Sequence, residues 1–249
     1  MASQSFDGLN PSGNTSNKAV GSTNTHLRIS PSKLNYWGTY NCLKCFTATM
    51  HGWVQPKGIF SPIFNLFDSH QKDYFSGRSS KELDQSLPDG TICEGFHVKS
   101  APFVGDNGVT ITVAGILDAV SENFDDSLTI IDFKTSASNP ASLAKGYENQ
   151  LSAYAFCLEN PAQPEKVEPR KIETMGLCRI TPERMTDTNE EIAEIMSATW
   201  IEVPWDMQRR ASFFEILETI CEIFEKPETA PSVDGCDWCH LRRQLGKPW

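Results

Sequence analysis

No apolar run in this 249-residue chain approaches the ~20 residues that a membrane-spanning helix needs, so a membrane partner is not expected. The Ser-, Asn- and Gly-rich first residues hold no hydrophobic stretch of the kind a secretory signal carries. A cytoplasmic, reducing location is therefore the expectation. Basic residues are the scarcer sign of charge: 22 Lys and Arg face 32 Asp and Glu, for a formal net charge of −10. That deficit argues against a chain that coats nucleic acid non-specifically, which draws on Lys and Arg. It leaves a local basic groove open, because an acidic metal site adds negative charge that a bound ion reverses. No internal repeat is visible. Disulfides are not expected in a reducing compartment, so the eight cysteines need another account.

With 39 % hydrophobic residues, the chain can bury one sizeable core. Residues 1–26 are polar, have little to bury and read as a disordered tail, leaving 27–249 as one domain. Ser30 or Ser32 can cap a short helix through Lys33, Leu34, Tyr36, Trp37 and Tyr40. A second helix is expected over residues 62–75, with Ser61 as N-cap and Pro62 at the first position. Its Phe64, Phe67, Gln71 and Phe75 share one face that can dock on a sheet. Strands are expected over 92–103, 109–113, 171–180 and 199–203, and helices over 140–158 and 207–225. In the last helix Phe213, Phe214, Leu217, Ile220 and Phe224 recur as an inward face.

The most informative stretch is 128–135, read with 113–118. Both are β-branched and apolar, and the polar residues 121–127 separate them, a pattern that predicts two antiparallel strands joined as a hairpin. Asp132 and Lys134, two apart, project from the same face of a strand. Asp118 closes the first strand, and the hairpin can return Asp132 beside it. An isolated Asp-x-Lys reads equally well as a solvated pair on an edge strand. Here the largely apolar, β-branched run 128–131 precedes it, and a buried strand that ends abruptly in charge breaks the local rule in the way sites do. Crowded carboxylates repel unless a cation lies between them, and a hard divalent ion with oxygen ligands is the usual solution.

Gly115-Ile-Leu-Asp118, Asp132-Phe-Lys134-Thr135 and Gln150-Leu-Ser-Ala-Tyr154 resemble, in order and spacing, the core of the PD-(D/E)XK nucleases. The RecB-like branch is the nearest in look, with its CRISPR-associated exonucleases and AddB-type nuclease domains, and the resemblance runs over residues 30–239. It implies a restriction-endonuclease-like α/β core, with a mixed, mainly antiparallel sheet flanked by helices. It also implies metal-dependent hydrolysis of DNA, single-stranded or free-ended, in repair, recombination or a CRISPR-related process. Asp118, Asp132 and the Phe133 carbonyl would then hold Mg²⁺ or Mn²⁺. Lys134 would orient water and stabilise phosphoryl charge, and Gln150 and Tyr154 would position the motif or the nucleic-acid backbone. The family's first motif, a Glu or His on a helix, has two counterparts here, Asp68 and His70. Asp68 is preferred as the third ligand because it flanks the apolar face and offers a hard oxygen.

Four cysteines, Cys93, Cys157, Cys178 and Cys221, lie in apolar stretches and read as buried small hydrophobes. The others form two matched pairs, Cys42-x-x-Cys45 and Cys236-x-x-Cys239, that can complete one four-sulfur metal site and staple the ends of the domain together. Iron–sulfur members of the RecB-like branch use one N-terminal and three C-terminal cysteines. The two-plus-two arrangement here leaves Zn²⁺ and [4Fe–4S] both open. Two other functions compete with the nuclease: a catalytically inactive nucleic-acid-binding or scaffolding protein of the same fold, and a thiol oxidoreductase. The oxidoreductase ranks last, because no thioredoxin-like βαβ pattern surrounds either pair.

Overall fold

The computed structural model describes residues 26–35, 42–54, 61–188 and 191–246. The chain runs β1 (His26–Ile29), a 3-10 turn (Pro31–Leu34), α1 (Leu43–Met50), α2 (Ile63–Phe75) and α3 (Ser80–Leu83). Strands β2 (Gly90–Glu94), β3 (His97–Lys99), β4 (Phe103–Val104), β5 (Thr110–Ile116), β6 (Ala119–Asn123) and β7 (Leu128–Thr135) follow. The remainder is α4 (Pro140–Glu159), β8 (Ile172–Thr188), β9 (Glu191–Val203), α5 (Met207–Glu225), a 3-10 turn (Pro227–Thr229) and α6 (Asp237–Gln244). The expected tail, save His26 in β1, lies outside the described residues, as do Tyr36, Trp37 and Tyr40 of the first expected helix.

Two mixed sheets are flanked by helices, in keeping with the α/β expectation. One has β5 at its centre, paired with β1 in parallel and with β3 and β4 antiparallel. The other has the order β2-β6-β7-β8-β9, with β7 and β8 parallel and the remaining pairs antiparallel. Parallel β7 and β8 require a crossover, and α4 supplies it. Asn139 caps α4 by accepting from the Ala141 N–H at 2.9 Å, with Pro140 in the first turn, where its missing N–H costs nothing.

The central hairpin differs from the sequence expectation in its first strand. The partner of β7 is β6, not residues 113–118. β5 ends at Ile116, and the chain turns at Leu117 and Asp118 from the first sheet into the second. β2 and β3 make the matching turn at Gly95 and Phe96, where the Gly95 N–H donates to the Asp118 carbonyl and the Leu117 N–H to that of Phe96. The two bends cross so closely that a Cβ on Gly95 would sit 1.8 Å from the Leu117 carbonyl oxygen. The strand expected over 92–103 is accordingly broken into three.

Because β7 is central and both its faces are covered, residues 128–133 are all buried. Ile131 and Phe133 face a cluster with Phe75, Leu87 and Cys178, while Leu128 and Ile130 face the main core with Leu151 and Phe213. α2 docks only by its last turns. Gln71 and Phe75 are buried, but Phe64 is exposed and Phe67 half-buried, so the four-residue docking face expected along this helix is half as long. In α5, Phe213, Leu217 and Ile220 point inward, but Phe214 is exposed and Phe224 only half-buried. β8 and β9 extend well past their expected ends as a long two-stranded ribbon.

Candidate active site and cysteine centre

The β6–β7 ladder ends at Ala119 opposite Ile131, and β7 runs on. Its next free backbone donor, the Phe133 N–H, donates to Asp118 Oδ2 at 3.2 Å. Asp118 is thereby held against the segment that carries Asp132 and Lys134. The strand alternation turns Phe133 the other way, onto the Phe75 ring at 5.4 Å between centroids. Asp132 is 1 % exposed, and its carboxylate is ion-paired with Lys134, whose ammonium also donates to the Phe133 carbonyl at 3.2 Å.

Gln150 and Tyr154 turn inward toward this motif, and both are buried. Gln150 Nε2 donates to Asp132 Oδ1 at 2.8 Å, and its Oε1 accepts from Asn35 Nδ2 at 2.6 Å. The Tyr154 hydroxyl donates to the Ile116 carbonyl at 2.7 Å, fixing the end of β5 just before Asp118. A Cβ on Gly115 would lie 2.6 Å from Pro31, so this glycine lets the 3-10 turn that precedes Asn35 pack close. Both side chains thus bond to groups of the motif itself, the Asp132 carboxylate and the Ile116 carbonyl.

Burial pushes the Asp132 carboxyl up to about 6, with Asp118 adding to the rise and Lys134 opposing it. Burial works against the Lys134 ammonium too, but the neighbouring Asp132 and Asp118 hold its pKa above that of an ordinary lysine. Desolvation therefore outweighs pairing for the acid, and pairing outweighs desolvation for the base.

Asp68 does not join Asp118 and Asp132 in one cluster of acid oxygens. Lys72 stands between, its ammonium 2.8 Å from Asp68 Oδ2 and 2.9 Å from Asp118 Oδ1. His70 is exposed. On the helix where the resemblance calls for a third ligand, a cation thus faces Asp118. Sequence reasoning missed Lys72 and Asn35. The i,i+4 spacing of Asp68 and Lys72 beside the docked Gln71 was the available signal for the first; Asn35 had none.

The two cysteine pairs meet. Cys42 and Cys236 are N-caps of α1 and α6, and Cys45 and Cys239 lie one turn in. All four sulfurs lie within 4.8 Å of one another, with Cys42 and Cys45 each 3.4 Å from Cys239. The Lys44 N–H donates to the Pro231 carbonyl at 2.9 Å, tying the same two segments by backbone. Burial alone would raise the Cys42 thiol, but hydrogen bonds with the backbone at Val233 and Cys45 and with the facing thiols bring it down to about 7. Burial and the neighbouring thiols push Cys45 up instead. Arg242, 2 % exposed, puts its guanidinium 3.8 Å from Cys239 Sγ and over the Trp53 ring, a buried cation that can balance thiolate charge. Cys157, Cys178 and Cys221 are buried free thiols as expected; Cys93 is half-buried.

The family model for the PD-(D/E)XK nuclease superfamily matches residues 54–244. The chain belongs to this superfamily. Its match spans α2, strands β2 to β9 and the C-terminal cysteine pair, and begins after Cys42 and Cys45. A solved structure described as "Crystal structure of SSO0001" is similar at 16 % identity and a TM-score of 0.44, over 90 % of this chain and 87 % of that one. No curated protein matches the sequence. Among the described residues of this PD-(D/E)XK protein, no helix is long and apolar enough to cross a membrane.

Proposed function

We propose that this chain is a divalent-metal-dependent DNA nuclease of the RecB-like kind, acting on single-stranded or free-ended DNA. The observation that carries the reading is the convergence of Asp118, buried Asp132 and Lys134 where β7 outruns its partner. Two carboxylates and the Phe133 carbonyl are a hard oxygen set that suits Mg²⁺ or Mn²⁺. When bound, such an ion supplies Lewis-acid polarisation of the phosphate and makes water more acidic. The chain's own groups do the rest. Gln150, oriented by Asn35, fixes the Asp132 carboxylate. Tyr154 fixes the bend that presents Asp118. Lys134 offers a cation to the charge that grows on the phosphoryl oxygens.

Asp132→Asn is expected to abolish both Mn²⁺ binding and DNA cleavage while leaving the fold intact. In the wild type, the Asp132 proton must leave for a cation to bind. Since burial holds that pKa at about 6, Mn²⁺ affinity should fall up to tenfold per pH unit below 6 and level off above it. Calorimetric titration between pH 5 and 8 checks both points, and undiminished binding by the mutant would sink the assignment.

Lys72 favours a second reading, a catalytically silent nucleic-acid-binding protein, because its ammonium faces Asp118 where a ligand is called for. Under the nuclease reading Lys72 is a displaceable counter-cation. Lys72→Ala should then tighten Mn²⁺ binding by about tenfold, the effect of ~1.4 kcal/mol of like-charge repulsion removed. Wild-type protein that binds no Mn²⁺ until Lys72 is replaced would favour the silent reading.

For the cysteine centre we propose a structural Zn²⁺ site. Tetrahedral thiolates at the usual Zn–S distance of about 2.3 Å stand about 3.8 Å apart, and four sulfurs all within 4.8 Å match that spacing. A cubane cluster places its inner atoms between the thiolates and needs its ligand sulfurs farther apart. The four thiols form one cluster rather than two separate dithiols, which speaks against thiol redox chemistry.

A further inference from the structure

A cleft of about 460 Å³ opens beside Lys134, between the 3-10 turn before Asn35, the end of β7 and the first turns of α4. Its walls are hydroxyl- and amide-bearing: Ser32, Asn35, Thr135, Ser136, Ser138 and Ser142. Tyr147 forms one side, with the Lys134 ammonium 4.7 Å from its ring centroid. Among the described residues no acidic side chain lines the cleft, in a chain whose net charge is −10. The loop on its rim is held from behind: Arg179 Nη1 donates to the Ser138 carbonyl at 3.1 Å, and Thr181 Oγ1 to that of Ser136 at 3.1 Å. Arg179 is the register partner of Lys134 on β8, and its buried Nε has no hydrogen-bond partner among the described residues.

We propose that this cleft is a subsite for one unpaired nucleotide of single-stranded DNA, next to the phosphate to be cut. The inference rests on the nuclease reading and adds residues to it. The serines and Asn35 hold a phosphodiester and its sugar through neutral donors, which suffices for a singly charged group with Lys134 and Arg179 nearby. Tyr147 offers a ring face to the base. A base inside a duplex is stacked on its neighbours and cannot use that ring, whereas a single-stranded one can. The recognition is therefore of strandedness, not of sequence.

The test measures fluorescence anisotropy of labelled oligothymidylate and of a blunt duplex without added Mg²⁺ or Mn²⁺, for wild type, Tyr147→Phe, Tyr147→Ala and Ser142→Glu. Ser142→Glu places an acid in the cleft at the third residue of α4, where helices accept Glu readily, so folding is not at risk. Tyr147→Phe should bind as wild type. Tyr147→Ala should lose about 5- to 150-fold in single-strand affinity, the usual span for one base–aromatic stack. Ser142→Glu should also weaken single-strand binding, with duplex binding unchanged in every variant. An oligoribonucleotide arm shows whether the subsite also accepts RNA. Equal single-strand affinity in wild type and Ser142→Glu, or equal losses for duplex, overturns the cleft assignment. Cleavage by the wild type with Mn²⁺, measured alongside, separates the outcomes: a nuclease whose variants bind alike loses only the cleft, and a protein that binds but never cuts loses only the nuclease reading.

Discussion

Lys134→Ala is expected to lower the single-turnover cleavage rate by ~10²–10³, with a far smaller change in DNA affinity. A group that acts on charge developing in the transition state shows its loss in rate rather than in binding. An exposed surface lysine would give neither effect. Lys134 is not such a lysine, because its side chain is 20 % exposed and ion-paired with an aspartate that is itself buried. Removing it also takes away the cation that opposes the burial-driven rise of the Asp132 pKa, so that pKa should climb further. Mn²⁺ binding by the mutant should accordingly survive, or tighten, only well above pH 6, and the comparison belongs near pH 8. Measuring Mn²⁺ affinity, DNA affinity and cleavage on one preparation isolates the rate effect. Cleavage at the wild-type rate would remove the main support for Asp132-Phe133-Lys134 as a catalytic motif.

Replacing Cys236 and Cys239 with Ser should release the metal and loosen both ends of the domain. A ligand present at about a thousand times its Kd stabilises the folded state by ~4 kcal/mol. For a domain of this size that corresponds to a fall in Tm of about 8–16 °C. The loss should be cooperative, since α1 and α6 meet at the four sulfurs and the Arg242 guanidinium is buried against Cys239 and Trp53 beside them. Protein prepared anaerobically without chelator should be colourless and contain one zinc per chain. A brown protein absorbing near ~400 nm would replace zinc with an iron–sulfur cluster, and protein with neither metal would end the shared-site idea.

The sequence carried most of the local information in this molecule. The run of apolar residues before Asp132 predicted a buried strand, and the structure has one. Pro140 and the periodicity after it marked α4, and the spacing of Gln150 and Tyr154 put the two on one face of it. The superfamily was legible from three short motifs in order. The hairpin was misjudged by one strand. Ser121, Glu122 and Asn123 of β6 read as part of a polar link, and nothing local reveals that the chain changes sheets at Leu117 and Asp118. The length of the β8–β9 ribbon escaped notice because its outer part is solvated on both faces, and so shows no strand alternation.

What the sequence determined by itself was therefore the main helices and the buried strand β7, the order of the motifs and the pairing of residues within one element. The periods of 2 and 3.6 residues register local burial, and fixed spacing registers neighbours on one strand or helix. What only the tertiary structure decided was convergence between elements. Lys72 of α2 reaches Asp118, Asn35 reaches Gln150, and the two cysteine pairs come together across nearly the whole chain. The first two meetings depend on the angle at which α2 docks, on Gly95 and Gly115 allowing backbones to approach, and on the sheet change at Asp118, and the third on the packing of α1 against α6. None of these leaves a period in the sequence, because each is set by packing between segments far apart along the chain.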